Sequence, residues 1–178
     1  GKTTEIEPKI FRHAVKGKVR AESYPSMVCN IAGGTRQGYL YITYAGNNPP
    51  DIYFSRSTDD GDTWSPGKVI HSDTINDQFW QWIALDPSNG DLAVIYLDSR
   101  DDKNNIMVNT YVSYSSDGGN IWIDRRASDI NGDLRLTPFT NNAFAGDYSG
   151  CAFHNGIIYP SWIDMRSALK SIFDSDVY

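Results

Sequence analysis

Two short stretches carry the side chains best suited to gripping an anion or a polar sugar. They are Tyr96-Leu97-Asp98-Ser99-Arg100 and Trp162-Ile163-Asp164-Met165-Arg166. An aspartate and an arginine two positions apart on a strand project to the same side, so each pair can meet. The architectural reading is an ion pair that anchors a loop or joins neighbouring repeats. The alternative is that Arg100 and Arg166 offer their guanidinium forks to a carboxylate or a sugar hydroxyl, with Asp98 and Asp164 as further ligand-binding candidates. Gly46 and Asn48 occupy the corresponding places upstream, so a complete ring of such pairs is not expected.

Three aromatic residues, Tyr24, Trp80 and Tyr148, precede or open runs that read as strands and are candidates for stacking on a sugar ring, although packing is the commoner use of such rings. Tyr148 lies in Gly146-Asp147-Tyr148-Ser149-Gly150, at the end of a long connection from Asp129 to Asp147. Connections of that length inside a compact domain are often functional. Asp147 reads first as a cap for this loop and second as a catalytic candidate. Asp129, Asn131 and Asp133 alternate as in a calcium loop, but Leu134 and Thr140 replace the glycine and the bidentate glutamate that such a loop needs. His13, His71 and His154 show no ligand spacing. Calcium at the 129–133 run stays open as the minor alternative; otherwise no cofactor and no metal site are expected.

The elements that must position these groups announce themselves as a repeat. Ser57-Thr58-Asp59-Asp60-Gly61-Asp62-Thr63-Trp64 and Ser115-Ser116-Asp117-Gly118-Gly119-Asn120-Ile121-Trp122 share the pattern Ser-x-Asp-x-Gly-x-x-Trp, 58 residues apart. Ser57, Asp59, Ser115 and Asp117 can accept backbone N–H groups within a tight turn. Gly61 and Gly119 permit positive φ, and Trp64 and Trp122 cover the hairpin with an apolar face. Around these turns the alternating runs 38–44, 90–96 and 156–162 read as second strands, preceded by strands at 24–31, 80–86 and 148–154. Third strands run over 51–57 and 108–115, with Asp176-Val177-Tyr178 matching Asp51-Ile52-Tyr53, and a fourth follows at 67–71. Asn155-Gly156 is itself a hairpin signal.

Composition agrees. The 178 residues include 19 Asp but only 3 Glu, with 15 Gly, 11 Tyr and 5 Trp, a turn-rich rather than helix-rich mixture. Only 167–170 approaches helical periodicity. The net charge of −6 argues against nucleic acid, with Arg125-Arg126 read as a solvated pair. No apolar run reaches membrane-span length, and the first residues are not a signal peptide. Cys29 and Cys151 fall in the first strands of non-adjacent repeats and are expected to be buried free thiols.

The repeated turn resembles the Asp-box, or bacterial neuraminidase repeat, of the sialidase-like β-propeller family. That resemblance implies an all-β fold of four-stranded antiparallel blades, six when complete, with the boxes as structural turns away from any active site. About three blades fall in this chain: an arm or last strand of a preceding blade at 1–22 (with 9–15 the candidate), blades at 23–77 and 78–145, and an incomplete blade at 146–178. Antiparallel connectivity puts the boxes on one face and the inter-blade loops on the other, so function is expected on the face opposite the boxes. Sialidases use three arginines, a tyrosine nucleophile with a glutamate, and an aspartate. Here the glutamates are Glu5, Glu7 and Glu22, and no position matches the catalytic motif. The leading expectation is a secreted or cell-surface propeller segment that recognises a glycan or cell-surface protein and does not suffice for catalysis. An exo-sialidase-like glycoside hydrolase completed by other blades is the alternative, and a structural repeat of a surface adhesin a further one. Another chain or further blades would complete the ring.

Overall fold

The computed structural model describes residues 12–14, 20–46, 50–136, 148–164 and 176–177. Its described part is all-β. A short hairpin of β1 (Arg12–Ala14) and β2 (Arg20–Glu22) precedes two four-stranded antiparallel sheets. The first contains β3 (Ser26–Cys29), β4 (Leu40–Gly46), β5 (Asp51–Ser57) and β6 (Lys68–Val69), hydrogen-bonded in chain order. The second repeats this arrangement with β7 (Gln78–Leu85), β8 (Leu92–Asp98), β9 (Asn109–Ser115) and β10 (Ile123–Arg126). A third unit follows: β11 (Gly150–His154) pairs with β12 (Ile157–Ser161), and β13 (Ile163–Asp164) with β14 (Asp176–Val177). The pairs Gly46–Asp51, Asp98–Asn109 and Asp164–Asp176 close the second-to-third connection at the same place in each unit. The only helical turn among the described residues is Leu134–Leu136.

The repeated turns form because their side chains bond their own backbone. Ser57 Oγ donates to Asp59 Oδ1 at 2.8 Å and accepts from the Gly61 N–H at 2.9 Å. Asp59 also accepts the Thr63 N–H at 2.9 Å and the Thr63 hydroxyl at 2.5 Å. The second turn reproduces the Ser115–Asp117 bond and the Gly119 N–H to Ser115 bond, both at 2.9 Å. Ile121 supplies its N–H to Asp117 at 3.0 Å but has no hydroxyl to add. Gly61 and Gly119 both adopt φ of +87°. The hydrogen bonds from Thr63 and Ser57 hold the Asp59 carboxyl at about 2, below its ordinary value. A depressed carboxylate stabilises the fold above its unfolded pKa of about 4 and loses that contribution as pH falls through the folded value. Thermal melts of wild type and Asp59→Asn are therefore expected to differ most above pH ~4 and to converge towards pH ~2. A gap that stays constant over that range would contradict this role for the carboxylate.

Alternation predicts a half-exposed β8, yet every residue from Leu92 to Asp98 is buried. The reason is that β8 lies between β7 and β9 and is covered on both faces. Leu92, Val94 and Tyr96 join Tyr41, Ile52 and Phe54 of the first sheet in one apolar cluster, whereas Ala93 packs with Ala84 and Phe153 towards the third unit. Small residues on the second face let β11 approach. Asn30 and Asp86, which directly follow the first strands of their sheets, repeat a further contact. The Asn30 side chain lies against Gly90, and Asp86 Oδ2 accepts the Gly156 N–H at 2.6 Å. Both cysteines are free. Cys151 is half-buried, and burial pushes its thiol up to about 12. The expectation that both are buried fails at Cys29, which is exposed on β3.

Candidate functional site

The loops on the face opposite the repeated turns are tied down by polar side chains. Between β8 and β9, Asp102 accepts the backbone N–H groups of Asn104, Ile106 and Met107 at 2.8 to 3.0 Å. Asn76 and Asp77, ahead of β7, bond the same loop. The Asn76 amide donates to the Ser99 and Asp102 carbonyls, and the Asp77 N–H donates to Asn105 Oδ1. This loop is a rigid support. His71 closes the neighbouring corner: its Nε2 accepts the Ile52 N–H at 3.1 Å while Nδ1 meets the Asp73 carbonyl at 2.8 Å. That geometry requires the neutral Nδ1–H tautomer, and burial lowers the His71 pKa to about 4. Asp51, 3.7 Å from His71 Nε2, is raised to about 6 by burial and by the nearby Asp73 charge.

Asp98 and Arg100 meet. Arg100 Nε lies 2.8 Å and its NH2 2.7 Å from Asp98 Oδ2. Its NH1 bonds Asp124 on β10 and, at 2.9 Å, Ser72 Oγ from the connection between the two sheets. The guanidinium carbon also sits 4.2 Å from the centroid of the Tyr111 ring. Burial opposes the charged guanidinium, but Asp98 and Asp124 outweigh it and raise its pKa. Burial in turn raises Asp98 despite Arg100. Arg100 thus reaches outward along its sheet to β10, away from β7, and its fork is filled by protein carboxylates. Asp98 and Arg100 therefore meet as their spacing implies, and the pair also reaches β10 and the connection between the two sheets. Asp164 is buried at the end of β13. Arg166 and Asp147 lie outside the described residues, as do Glu5, Glu7, Asn48, Thr140 and 167–170. Asp133 of the alternating acidic run is paired with Arg135 through Nε at 2.8 Å.

The three aromatic candidates fall at corresponding ends of the first strands of their units. Trp80 is only 3% exposed and packs with Phe79, Ala21, Leu97, Val108 and Leu134, which rules it out as a stacking surface. It sits at a register shift between Phe79 and Trp82 with φ of +54°. The extra residue sends Gln81 back to the first sheet, where its amide donates to the Tyr24 carbonyl at 2.5 Å and the Thr43 carbonyl at 3.2 Å. Tyr24 is half-buried against the Trp80 cluster. Tyr148 is 72% exposed, and its ring centroid lies 6.3 Å from that of Tyr24. Units one and three therefore bring an aromatic pair together above a buried tryptophan from unit two. Nothing in the strand pattern signals the register shift, because the extra residue moves the alternation by one within a run whose residues Phe79, Trp80, Trp82 and Ile83 are all apolar.

No protein-family model matches the chain, and no curated protein matches it. Among solved structures it is similar to a Hadza microbial sialidase, Hz136, with 24% identity and a TM-score of 0.49 over 65% of this chain and 27% of that one. A protein of unknown function from Dyadobacter fermentans DSM 18053 shows 18% identity and a TM-score of 0.45, over 88% of this chain and 50% of that one. A structure titled glycoside hydrolase shows 12% identity and a TM-score of 0.28, over 88% and 68%. The chain spans about a quarter of the first of these proteins and half of the second. No helix among the described residues is long and apolar enough to cross a membrane.

Proposed function

We propose that residues 23–77 and 78–145 are two blades, and 146–178 an incomplete third, of a secreted or cell-surface propeller of the sialidase-like kind, six-bladed when complete. The face opposite the Asp-boxes recognises a glycan and does not by itself carry out catalysis. The observation that carries this reading is the exposed Tyr148 ring beside Tyr24, set on a rigid polar rim where the first strands of separate blades converge. An aromatic face flanked by hydrogen-bonding groups suits the apolar face and hydroxyl edge of a sugar. The filled fork of Arg100 argues against that residue taking a substrate carboxylate.

Binding on a glycan array, followed by calorimetry with the best ligand, tests the reading. Tyr148→Ala is expected to weaken binding by about tenfold, the loss of one stacking contact of about 1.4 kcal/mol. Its melting temperature should stay unchanged, because the ring is exposed. Undiminished binding by Tyr148→Ala would remove the proposed surface. Hydrolysis of a fluorogenic sialoside that Arg166→Ala abolishes would make the chain an enzyme instead.

A further inference from the structure

Where the first sheet hands over to the second, three titratable side chains and a glutamine are knotted together. The His71 side chain is fully buried, and that of Asp51, at the start of β5, is 20% exposed. Both ring nitrogens of His71 are committed to backbone: Nε2 accepts the Ile52 N–H, and Nδ1–H donates to the Asp73 carbonyl. Asp51 Oδ1 stands 3.7 Å from the same Nε2. The Asp73 carboxylate accepts the Asn76 N–H and the Gln78 side-chain amide, both at 2.9 Å. Gln78 also donates its backbone N–H to the Pro50 carbonyl at 2.8 Å, so the start of β7 hangs on the residue before Asp51. The other groups facing His71 are the Tyr96 ring of β8, 5.8 Å away between centroids, Arg100 after β8, and Asp124 of β10. The Arg100 charge opposes a proton on His71 while Asp73 and Asp124 favour it, and Arg100 is itself held between Asp98 and Asp124.

A neutral imidazole has one ring lone pair to offer, here on Nε2, and the Ile52 N–H occupies it. A proton brought between Asp51 and His71 must use that same lone pair. It either stays on the carboxyl and is donated to Nε2, or crosses to leave an imidazolium beside a carboxylate. In both cases the Ile52 N–H loses its acceptor. We propose that Asp51 and His71 form a one-proton latch: a proton from solvent, shared between Asp51 Oδ1 and His71 Nε2, releases the Ile52 N–H and slackens the Pro50–Gln78 tie that positions the start of β7. From Gln78 the strand runs into the bulge at Trp80, whose apolar cluster Tyr24 packs against. The latch thereby regulates the Tyr24–Tyr148 surface, and that consequence, unlike the latch itself, rests on the glycan reading.

Burial and the Asp73 charge raise Asp51 to about 6, and burial lowers His71 to about 4. The stability due to the raised carboxyl is complete below its unfolded pKa of about 4 and is lost as pH rises through its folded value. That due to the lowered imidazole is complete above its unfolded pKa of about 6.5 and is lost as pH falls through its folded value. Between these limits the two oppose each other, so acid rearranges this corner rather than unfolding it.

NMR of the 178-residue protein, with nitrogen-15 in the histidine rings and the backbone, tests the latch from pH ~7.5 to pH ~4. The His71 Nε2 resonance and the amides of Ile52, Gln78 and Trp80 are expected to shift together, with one midpoint between about 4 and about 6. Below it the Ile52 amide should exchange about tenfold faster relative to its intrinsic rate, as the loss of one hydrogen bond requires. In Asp51→Asn the shared step should vanish from this range, because the partly exposed amide takes no proton. His71→Gln offers an oxygen to the Ile52 N–H without titrating, and its Gln78 and Trp80 amides should stay still. Unchanged Ile52 exchange down to pH ~4 would overturn the proposal, as would a step that persists in Asp51→Asn. So would an Ile52 shift that Gln78 and Trp80 do not follow, or the loss of all amide signals at one midpoint. If the latch titrates while Tyr148→Ala binds glycan undiminished, only the recognition face is wrong. If the latch fails while Tyr148→Ala loses glycan, only the latch is.

Discussion

Replacing Arg100 with alanine is expected to cost about 3–5 kcal/mol of folding stability, the usual loss when one partner of a buried ion pair is removed. Asp98 is fully buried and Asp124 nearly so, with side-chain exposures of 0% and 12%. Without the guanidinium, Asp98 keeps the N–H of residue 100 at 2.8 Å and the Gln78 amide at 3.3 Å, which do not neutralise its charge. The Tyr111 ring also loses the cation above it. Because burial already raises the Asp98 pKa, the variant should recover part of its deficit in acid, where that carboxyl takes a proton. Arg100→Lys keeps the charge but not the fork across Asp98 and Asp124, and should fall between the two. Urea denaturation at neutral and acidic pH measures these differences. If Arg100 served a ligand instead, the alanine variant would keep wild-type stability and lose only binding.

The second large effect belongs to Gly119→Ala. A Cβ there would lie 2.3 Å from Phe54 Cε1 and Cζ, and the backbone φ is +87°. Overpacking and left-handed strain together should cost about 2–4 kcal/mol. Gly61 makes the control, because it has the same φ but its nearest contact would be Leu40 Cδ1 at 3.5 Å. Gly61→Ala should therefore cost only the conformational part, about 1–2 kcal/mol. The double variant Gly119→Ala with Phe54→Ala should lose less than the two single losses added, since the clash goes with the ring. Equal destabilisation at Gly61 and Gly119 would mean that the second box does not hold the two sheets together.

The two repeated turns were legible in the sequence because their chemistry is local. Ser57, Asp59, Gly61 and Thr63 bond one another within a single turn, and the spacing of those types reports the geometry. Strands such as Asp51–Ser57 were legible for a similar reason, since alternation and flanking turns delimit them. What composition and spacing did not reveal is set by distant neighbours. Arg100 meets Asp98 two residues away, as its spacing implies, but its contacts to Asp124 and Ser72 come from other elements and no spacing reports them. Trp80 reads as a surface aromatic until the bulge turns it into the core. Trp122 reads as a cover for its own hairpin, yet its ring packs on Phe54 of the preceding sheet. Of the aromatic candidates only Tyr24 and Tyr148 come together where a ligand can reach, and that juxtaposition depends on stacking three units, which no single repeat encodes.

The central claim is that recognition occurs on the face opposite the Asp-boxes, around Tyr148 and Tyr24. Titrating the best array ligand into isotope-labelled protein and following backbone amide shifts tests it directly. The largest changes are expected at residues 22–24, 76–80 and 148–150, with the boxes at 57–64 and 115–122 unmoved. Changes centred on the boxes, or none at saturating ligand, would contradict it.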